Sequence, residues 1–312
     1  MNRVTAWLPD RIDRRVRVVA WLSFLAQTII IGTGGAVRLT GSGLGCPTWP
    51  LCTADSLVTT PEMGIHGMIE FGNRLMTGVV GIVALLVVLS IWRLRRERRD
   101  LWTLAVIVVL GIVAQAVVGG ITVWTGLNPF IVGFHYVASL LLVCVTAAYL
   151  VRLGAVPGPR ELAVPRWYAT LTHATTAVLA VSIVFGVLTT ASGPHSGDPD
   201  AGRTGFNAEV LEHVHAWPGY ALFVLTLVLV VGAWRLRLPT LRWAAGLLAI
   251  ELVQIAIGLY QARNGLPPLA VGVHMVLAAL TAASMTVLVL KLKRPASAPA
   301  EAADAAVAAS AR

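Results

Sequence analysis

Eight apolar stretches, each long enough to cross a bilayer as a helix, make up most of the 312 residues, and the second four repeat the first. They cover residues 17–38, 66–92, 101–121, 131–151, 167–190, 209–234, 243–262 and 269–290. A spanning helix takes about 20 residues. The repeat is clearest between Gln115 and His135. Shifted by 139 positions, Gln115, Gly119, Gly126, Leu127, Pro129, Val132, Gly133 and His135 fall on Gln254, Gly258, Gly265, Leu266, Pro268, Val271, Gly272 and His274. Eight identities in 21 ungapped positions predict an all-α integral membrane protein with eight transmembrane helices. The helices should form two tandem four-helix bundles related by internal duplication. Four spans per half is an even number, so both halves enter the membrane in the same orientation.

Hydrophobic residues are 57% of the chain and charged residues 12%, where a soluble domain is about a quarter charged. The net charge of +9 invites a nucleic-acid reading, but its placement argues against one. All but Arg38, Arg74, Arg203 and Arg263 of the 24 Lys and Arg lie in five segments: the N-terminus, the 93–99, 152–166 and 235–242 loops, and the tail. Eight alternating helices put those segments on one side, the positive-inside pattern. The chain is then a multi-pass protein of the cell membrane with cytoplasmic termini, in contact with lipid and not with nucleic acid. The first span is too long for a signal-peptide core and is read as retained.

The expected organisation is a cytoplasmic segment 1–16, an N-terminal bundle 17–151, a cytoplasmic linker 152–166, a C-terminal bundle 167–290 and a tail 291–312. Pro157, Pro159 and Pro165 mark the linker, and the Ala-, Pro- and Ser-rich tail is expected to be disordered. Cys46 and Cys52 share the first outer loop, an oxidising location that predicts a disulfide. Cys144 reads as a packing residue.

Ionisable residues inside such spans are costly and point to function. His215 and His274 lie at matching depth in the second half and could ligate one haem iron from opposite sides. The alternative is two buried histidines bonded to neighbouring helices. His213 competes with His215, but two residues turn it about 200° away, and His215 shares a face with Glu212, which would support the haem ligand. In the first half His135 matches His274, whereas Asn73 answers His215, because Glu70–Asn73 aligns with Glu212–His215. His66 shares the Asn73 face about 10 Å further out and is a candidate replacement ligand or cofactor-edge contact. Glu70 suits proton transfer; its alternative is an ion pair with Arg74 at i+4. Arg38 and Arg74 are candidates to pair with haem propionates. Glu251 is expected to pack with Gln254, and His173 and His195 to play no special part.

With Gly34–Cys52 (GGAVRLTGSGLGCPTWPLC), Ile69–Leu75 (IEFGNRL), the glycine-flanked His135 and His274, and Ser192–Asp198 (SGPHSGD), the chain resembles the haem A synthase family over residues 15–290. The resemblance implies eight helices in two bundles and oxidation of a methyl group of haem O to the formyl of haem A. It implies haem b between His215 and His274 as an electron relay, haem O on His135 as substrate, and Glu70 as the essential carboxylate. Cys46 and Cys52 match the family's paired loop cysteines. Molecular oxygen, an unidentified electron donor and haem O synthase are the further partners it suggests. Asn73 departs from the usual Glu-x-x-His, and together with SGPHSGD resembles the actinobacterial branch. A competing reading is a non-catalytic b-type membrane cytochrome carrying electrons, which predicts two symmetric sites. A repeat-built transporter would show Gly/Pro-broken helices at mid-membrane, but here those residues cluster in outer loops.

Overall fold

A computed structural model describes residues 7–296. Eight long helices follow one another: α1 (Arg14–Leu39), α2 (Gly64–Ser90, led in by a turn at Pro61–Met63), α3 (Arg99–Trp124), α4 (Pro129–Leu153), α5 (Arg166–Ser192), α6 (Ala208–Arg235), α7 (Leu241–Arg263) and α8 (Pro268–Lys291). All eight are long and apolar enough to cross a membrane. The expected fold class holds, with most spans a few residues longer than read. The difference lies in polar caps. The Asp13 carboxylate accepts from the Arg15 and Val16 N–H groups and starts α1 three residues early, and Asn128 and Asn207 cap α4 and α6. A side-chain acceptor at that position satisfies the otherwise unpaired first N–H groups of a helix.

Helices α1–α4 close one ring, with α1 against α2 and α4, and α3 against α2 and α4. Helices α5–α8 close a second ring in the same order. The rings meet where α8 packs on α1 and α4, and α4 on α5. The repeated residues account for much of this arrangement. Gly126–Leu127 and Gly265–Leu266 both adopt positive φ, and the N–H of each leucine bonds back to Thr122 or Gln261 to turn the chain sharply. Pro129 and Pro268 then occupy the first turn of the next helix, where a missing N–H costs nothing. Gly133 faces Val187 of α5, and Gly272 faces Leu39 of α1, so each repeat glycine lets its helix approach the other half. At the seam the Tyr136 hydroxyl donates to the Met275 carbonyl, 2.9 Å away, and these two positions are themselves repeat-related.

One expectation is corrected at the basic end. The tail was read as disordered from 291, yet Lys293–Pro295 forms a strand (β2) paired antiparallel with Arg160–Leu162 (β1) of the linker. The Arg294 guanidinium also bonds the Glu161 carboxylate. The prolines around each three-residue strand hid the pairing, because so short a ribbon leaves no alternation to read. The rest of the tail, 297–312, and residues 1–6 lie outside the described residues.

The loop 41–63 packs on the other end of the first ring through close contacts. A Cβ on Gly120 would stand 2.5 Å from the Trp49 ring, and one on Gly45 would strike the His66 carbonyl. Alanine in place of a helical glycine ordinarily gains about 0.5–1 kcal/mol, whereas forcing an extra methyl into a filled contact costs about 1–3 kcal/mol. Gly120→Ala should therefore lower the thermal midpoint of the detergent-purified protein. Gly78→Ala, with nothing near its Cβ, should leave it unchanged or raise it. Equal behaviour of the two variants would contradict this packing.

Candidate functional site

His215 and His274 face each other across the second ring, with ring centres 6.2 Å apart and planes at 80°. Helix packing alone would not leave room for them. A Cβ on Gly186 of α5 would come 2.8 Å from His215 Cε1, and one on Gly258 of α7 would come 3.1 Å from His274 Cε1. The His215 Nδ1–H donates to the Ser182 carbonyl at 2.9 Å. Because a carbonyl can only accept, that bond fixes the neutral tautomer and leaves the Nε2 lone pair free for a metal. His213 points elsewhere: it is exposed, and its Nδ1–H bonds the Glu209 carbonyl.

The repeat shows how His274 is seated. Gln254 donates to the His274 carbonyl at 3.1 Å, as Gln115 donates to the His135 carbonyl at 2.7 Å. Gly258 faces one imidazole, and Gly119, 3.6 Å from its counterpart by the same measure, faces the other. The Nδ1 atoms of His135 and His274 are both buried without a hydrogen-bond partner. Unpaired buried polar atoms are uncommon in finished interiors, and here they recur at equivalent positions.

The His215–His274 pair fits a haem iron. A metal–imidazole bond is about 2 Å and the ring nitrogen lies roughly 1 Å from the ring centre, so two imidazoles on opposite sides of one iron have centres about 6 Å apart. Among the described residues no group of three or more His, Cys, Asp or Glu gathers to hold a bare ion. Two histidines therefore suit a metal that brings its remaining ligands with it, as a porphyrin iron does.

The first ring is built differently. Asn73 accepts a 2.7 Å bond from the Thr33 hydroxyl of α1, and His66, exposed at the start of α2, pairs its Nδ1 with the Ser42 hydroxyl. Glu70 is only 5% exposed. One of its oxygens takes the Cys46 N–H at 2.6 Å and the other takes Arg74 at 2.6 Å. Arg74 also donates to the Cys46, Thr48 and Leu51 carbonyls. The ion pair read as the alternative for Glu70 is thus present, and it anchors the loop that the Cys46–Cys52 disulfide closes. That loop is capped further by Trp49 standing edge-on to Trp124. None of these bonds reaches His135, so Glu70, Asn73, His66 and His135 are not joined directly.

Arg38 donates to the Thr190 carbonyl at 2.7 Å and keeps a buried Nε without a partner, which leaves donors of its guanidinium for an anion. Arg74 is committed to the loop. Glu212 is exposed; the support for His215 comes from the Ser182 carbonyl instead, a main-chain atom that no side-chain pattern announces. Glu251 bonds Thr226 and not Gln254. His195, read as unimportant, ties its loop to the α7–α8 corner through the Leu266 carbonyl.

Residues 17–194, more than half of the chain, match the COX15-CtaA family, described as cytochrome oxidase assembly proteins. The chain belongs to that family. The matched stretch holds the disulfide loop, Glu70, Asn73 and His135, and ends before His215 and His274. Relatives named heme A synthase include one from Listeria welshimeri, 28% identical over 139 residues, which are 44% of this chain and 45% of that one. Another, from Exiguobacterium sibiricum, is 30% identical over 132 residues, 42% and 43% of the two chains. A third, from Halalkalibacterium halodurans, is 26% identical over 161 residues, 50% and 53% of the two chains. The match thus spans about half the length of these curated relatives.

The COX15-CtaA chain has one free cysteine among its described residues, Cys144, half-buried in α4. Alkylation of the denatured protein without reductant should therefore modify only Cys144, as read by mass spectrometry. Labelling of Cys46 and Cys52 would contradict the closed loop.

Proposed function

We propose that this protein is a haem A synthase: it oxidises the methyl group of haem O to the formyl of haem A by successive hydroxylations, ahead of terminal oxidase assembly. The observation that carries the reading is the broken symmetry of the repeat. One ring presents two facing histidines at the spacing of an iron clamp. The other keeps the seated His135 but gives the opposing position to Asn73, which bonds Thr33. A resident cofactor needs the first arrangement, and a haem that enters, reacts and leaves suits the second. Family membership and the relatives' printed name support the same activity.

In this proposal His215 and His274 hold haem b, whose iron supplies one-electron relay chemistry when bound. The Ser182 carbonyl orients His215, and Gln254 positions His274 through its backbone. His135 binds the substrate haem O, with Gly119 giving it room and Gln115 holding its backbone. His66 stands nearer the mouth as a second contact to that haem, and the unpaired Nε of Arg38 offers a donor to a propionate. Glu70 manages protons at the reacting edge; the disulfide loop it anchors shields that end from water. Molecular oxygen is the oxidant, a membrane electron donor supplies the electrons, and haem O synthase supplies the substrate. The basic helix ends support cytoplasmic termini, and Asn73 with SGPHSGD resembles the actinobacterial branch. A purely electron-carrying b-type cytochrome would want two equivalent iron clamps, which Asn73 denies.

Two variants test the assignment. His274→Ala should lose the six-coordinate low-spin haem of the purified protein and, with it, turnover. Retention of a full complement of that haem would remove His274 as ligand. Glu70→Gln should keep the low-spin spectrum and accumulate haem O or a hydroxylated product in cells that make haem O, read by chromatography of extracted haems. Normal haem A yield would confine Glu70 to holding the loop.

A further inference from the structure

Glu251 lies inside the second ring at 3% exposure, near the middle of α7. Its Oε1 accepts a 2.8 Å bond from the Thr226 hydroxyl of α6, itself fully buried. Its Oε2 is buried without a partner. One turn further along α7, Gln254 donates its amide to the His274 carbonyl, while its own Oε1 is also buried without a partner. Gln254 follows Glu251 by three residues on the same helix face, and each keeps one buried acceptor oxygen without a donor. A proton on Glu251 Oε2 would turn that oxygen from an unpaired acceptor into a donor.

No cation accounts for the carboxyl. Among the described residues the ion pairs are Arg74–Glu70, Arg98–Asp100 and Arg294–Glu161. Helix α7 packs on α6 and α8. Their titratable side chains are Glu209, Glu212, His213, His215, Tyr220 and Arg235 on α6, and His274 and Lys291 on α8. On α7 itself they are Arg242, Tyr260 and Arg263. All of these are exposed except His215, His274 and Lys291, and Lys291 ends its helix. Of these groups, His215 and His274 lie inside this ring, and Glu251 lies seven residues, about 10 Å, along α7 from Gly258, which faces His274.

The other half has no such group. At the repeat offsets, Glu251 answers to Ile112 and Thr226 to Ala84, and both of these belong to an apolar cluster with Val80, Val108 and Leu142. Gln115, the counterpart of Gln254, finds its additional partner in Ser139. A buried acid without a cation beside it is expensive in such an interior, yet Glu251 is one, whereas the buried Glu70 of the first ring has Arg74.

We propose that Glu251 is the redox-linked proton site of the second ring, ionised while the iron held by His215 and His274 is ferric and protonated when it is ferrous. This rests on the haem reading above. The ferric core carries one positive charge more than the ferrous core. In a low-dielectric interior that charge favours a carboxylate nearby, and its loss favours the acid. The balance is one electron from a one-electron reductant to the iron and one proton from solvent to Glu251 Oε2; oxidation returns both. Gln254, one turn along α7 from Glu251, holds the His274 backbone, and Glu251 acts on the iron through its charge, as a charge-compensating residue.

The test is a potentiometric titration of the purified protein across pH, with dithionite as reductant and ferricyanide as oxidant, followed at the low-spin haem band. The reduction equilibrium constant should fall about tenfold per pH unit between the ferric-state and ferrous-state pKa of the site, about 59 mV for one electron. Glu251→Gln should flatten that slope and keep the low-spin spectrum. In the reduced-minus-oxidised infrared spectrum, a protonated-carboxyl band that shifts in heavy water should appear in the wild type and be missing from Glu251→Gln. If that variant does not accumulate, Thr226→Val removes the bond to Oε1 and should move the pH window of the slope. A flat wild-type midpoint, a slope retained in Glu251→Gln, or an unmoved window in Thr226→Val overturns the proposal. A low-spin haem with a flat midpoint overturns Glu251 alone, whereas a protein without low-spin haem overturns the haem reading as well.

Discussion

Two imidazoles can meet inside an apolar bundle only where the helices beside them give up their side chains. Gly186 and Gly258 do this for His215 and His274, and a methyl group at either position would press against a ring. The rest of the second ring follows from keeping that gap. The Ser182 carbonyl fixes one ring's tautomer, Gln254 holds the other's backbone, and Gly272 lets α8 settle against α1. The space the two glycines leave is taken by the imidazoles themselves, so the close packing of the interior is kept around the pair.

Duplication gave both halves the same seat, and the halves then diverged at the opposing position. His135 retains its glutamine and its glycine, but the helix across from it carries Asn73, tied to α1 through Thr33. Around that open position the first half gathers a disulfide-closed loop that the second half lacks, held by Glu70 and Arg74 from below. The second half instead acquires Glu251 and Thr226 where the first is apolar. Under the proposed function these differences make one half suited to keep a group and the other to admit one.

Much of this was legible in the sequence because the repeat is strict where geometry is strict. Gln115, Gly119, Gly126, Leu127, Pro129, Gly133 and their counterparts each have an identifiable task, so their recurrence carried real structural information. Helical rotation allowed only one of His213 and His215 to face the bundle, and the preference for His215 leaned on its shared face with Glu212. The surroundings of the two histidines agree with the choice, although Glu212 itself is exposed. What stayed hidden depends on main-chain atoms or on distant partners. Ser182 acts through its carbonyl, Glu70 takes an N–H 24 positions away, and the linker pairs with residues far along the chain. No periodicity encodes such contacts. Glu251 was visible as an oddity, but its bond to Thr226 and its unpaired oxygen are facts of packing.

Under the proposed function one half clamps a haem and the other only receives one. Spin-quantified electron paramagnetic resonance of the ferric purified protein, before and after addition of haem O, measures that difference directly. The prediction is one low-spin bis-imidazole centre per chain at the start, followed by a second, distinct signal when haem O is added. Two equal low-spin centres from the outset, or none, would contradict it.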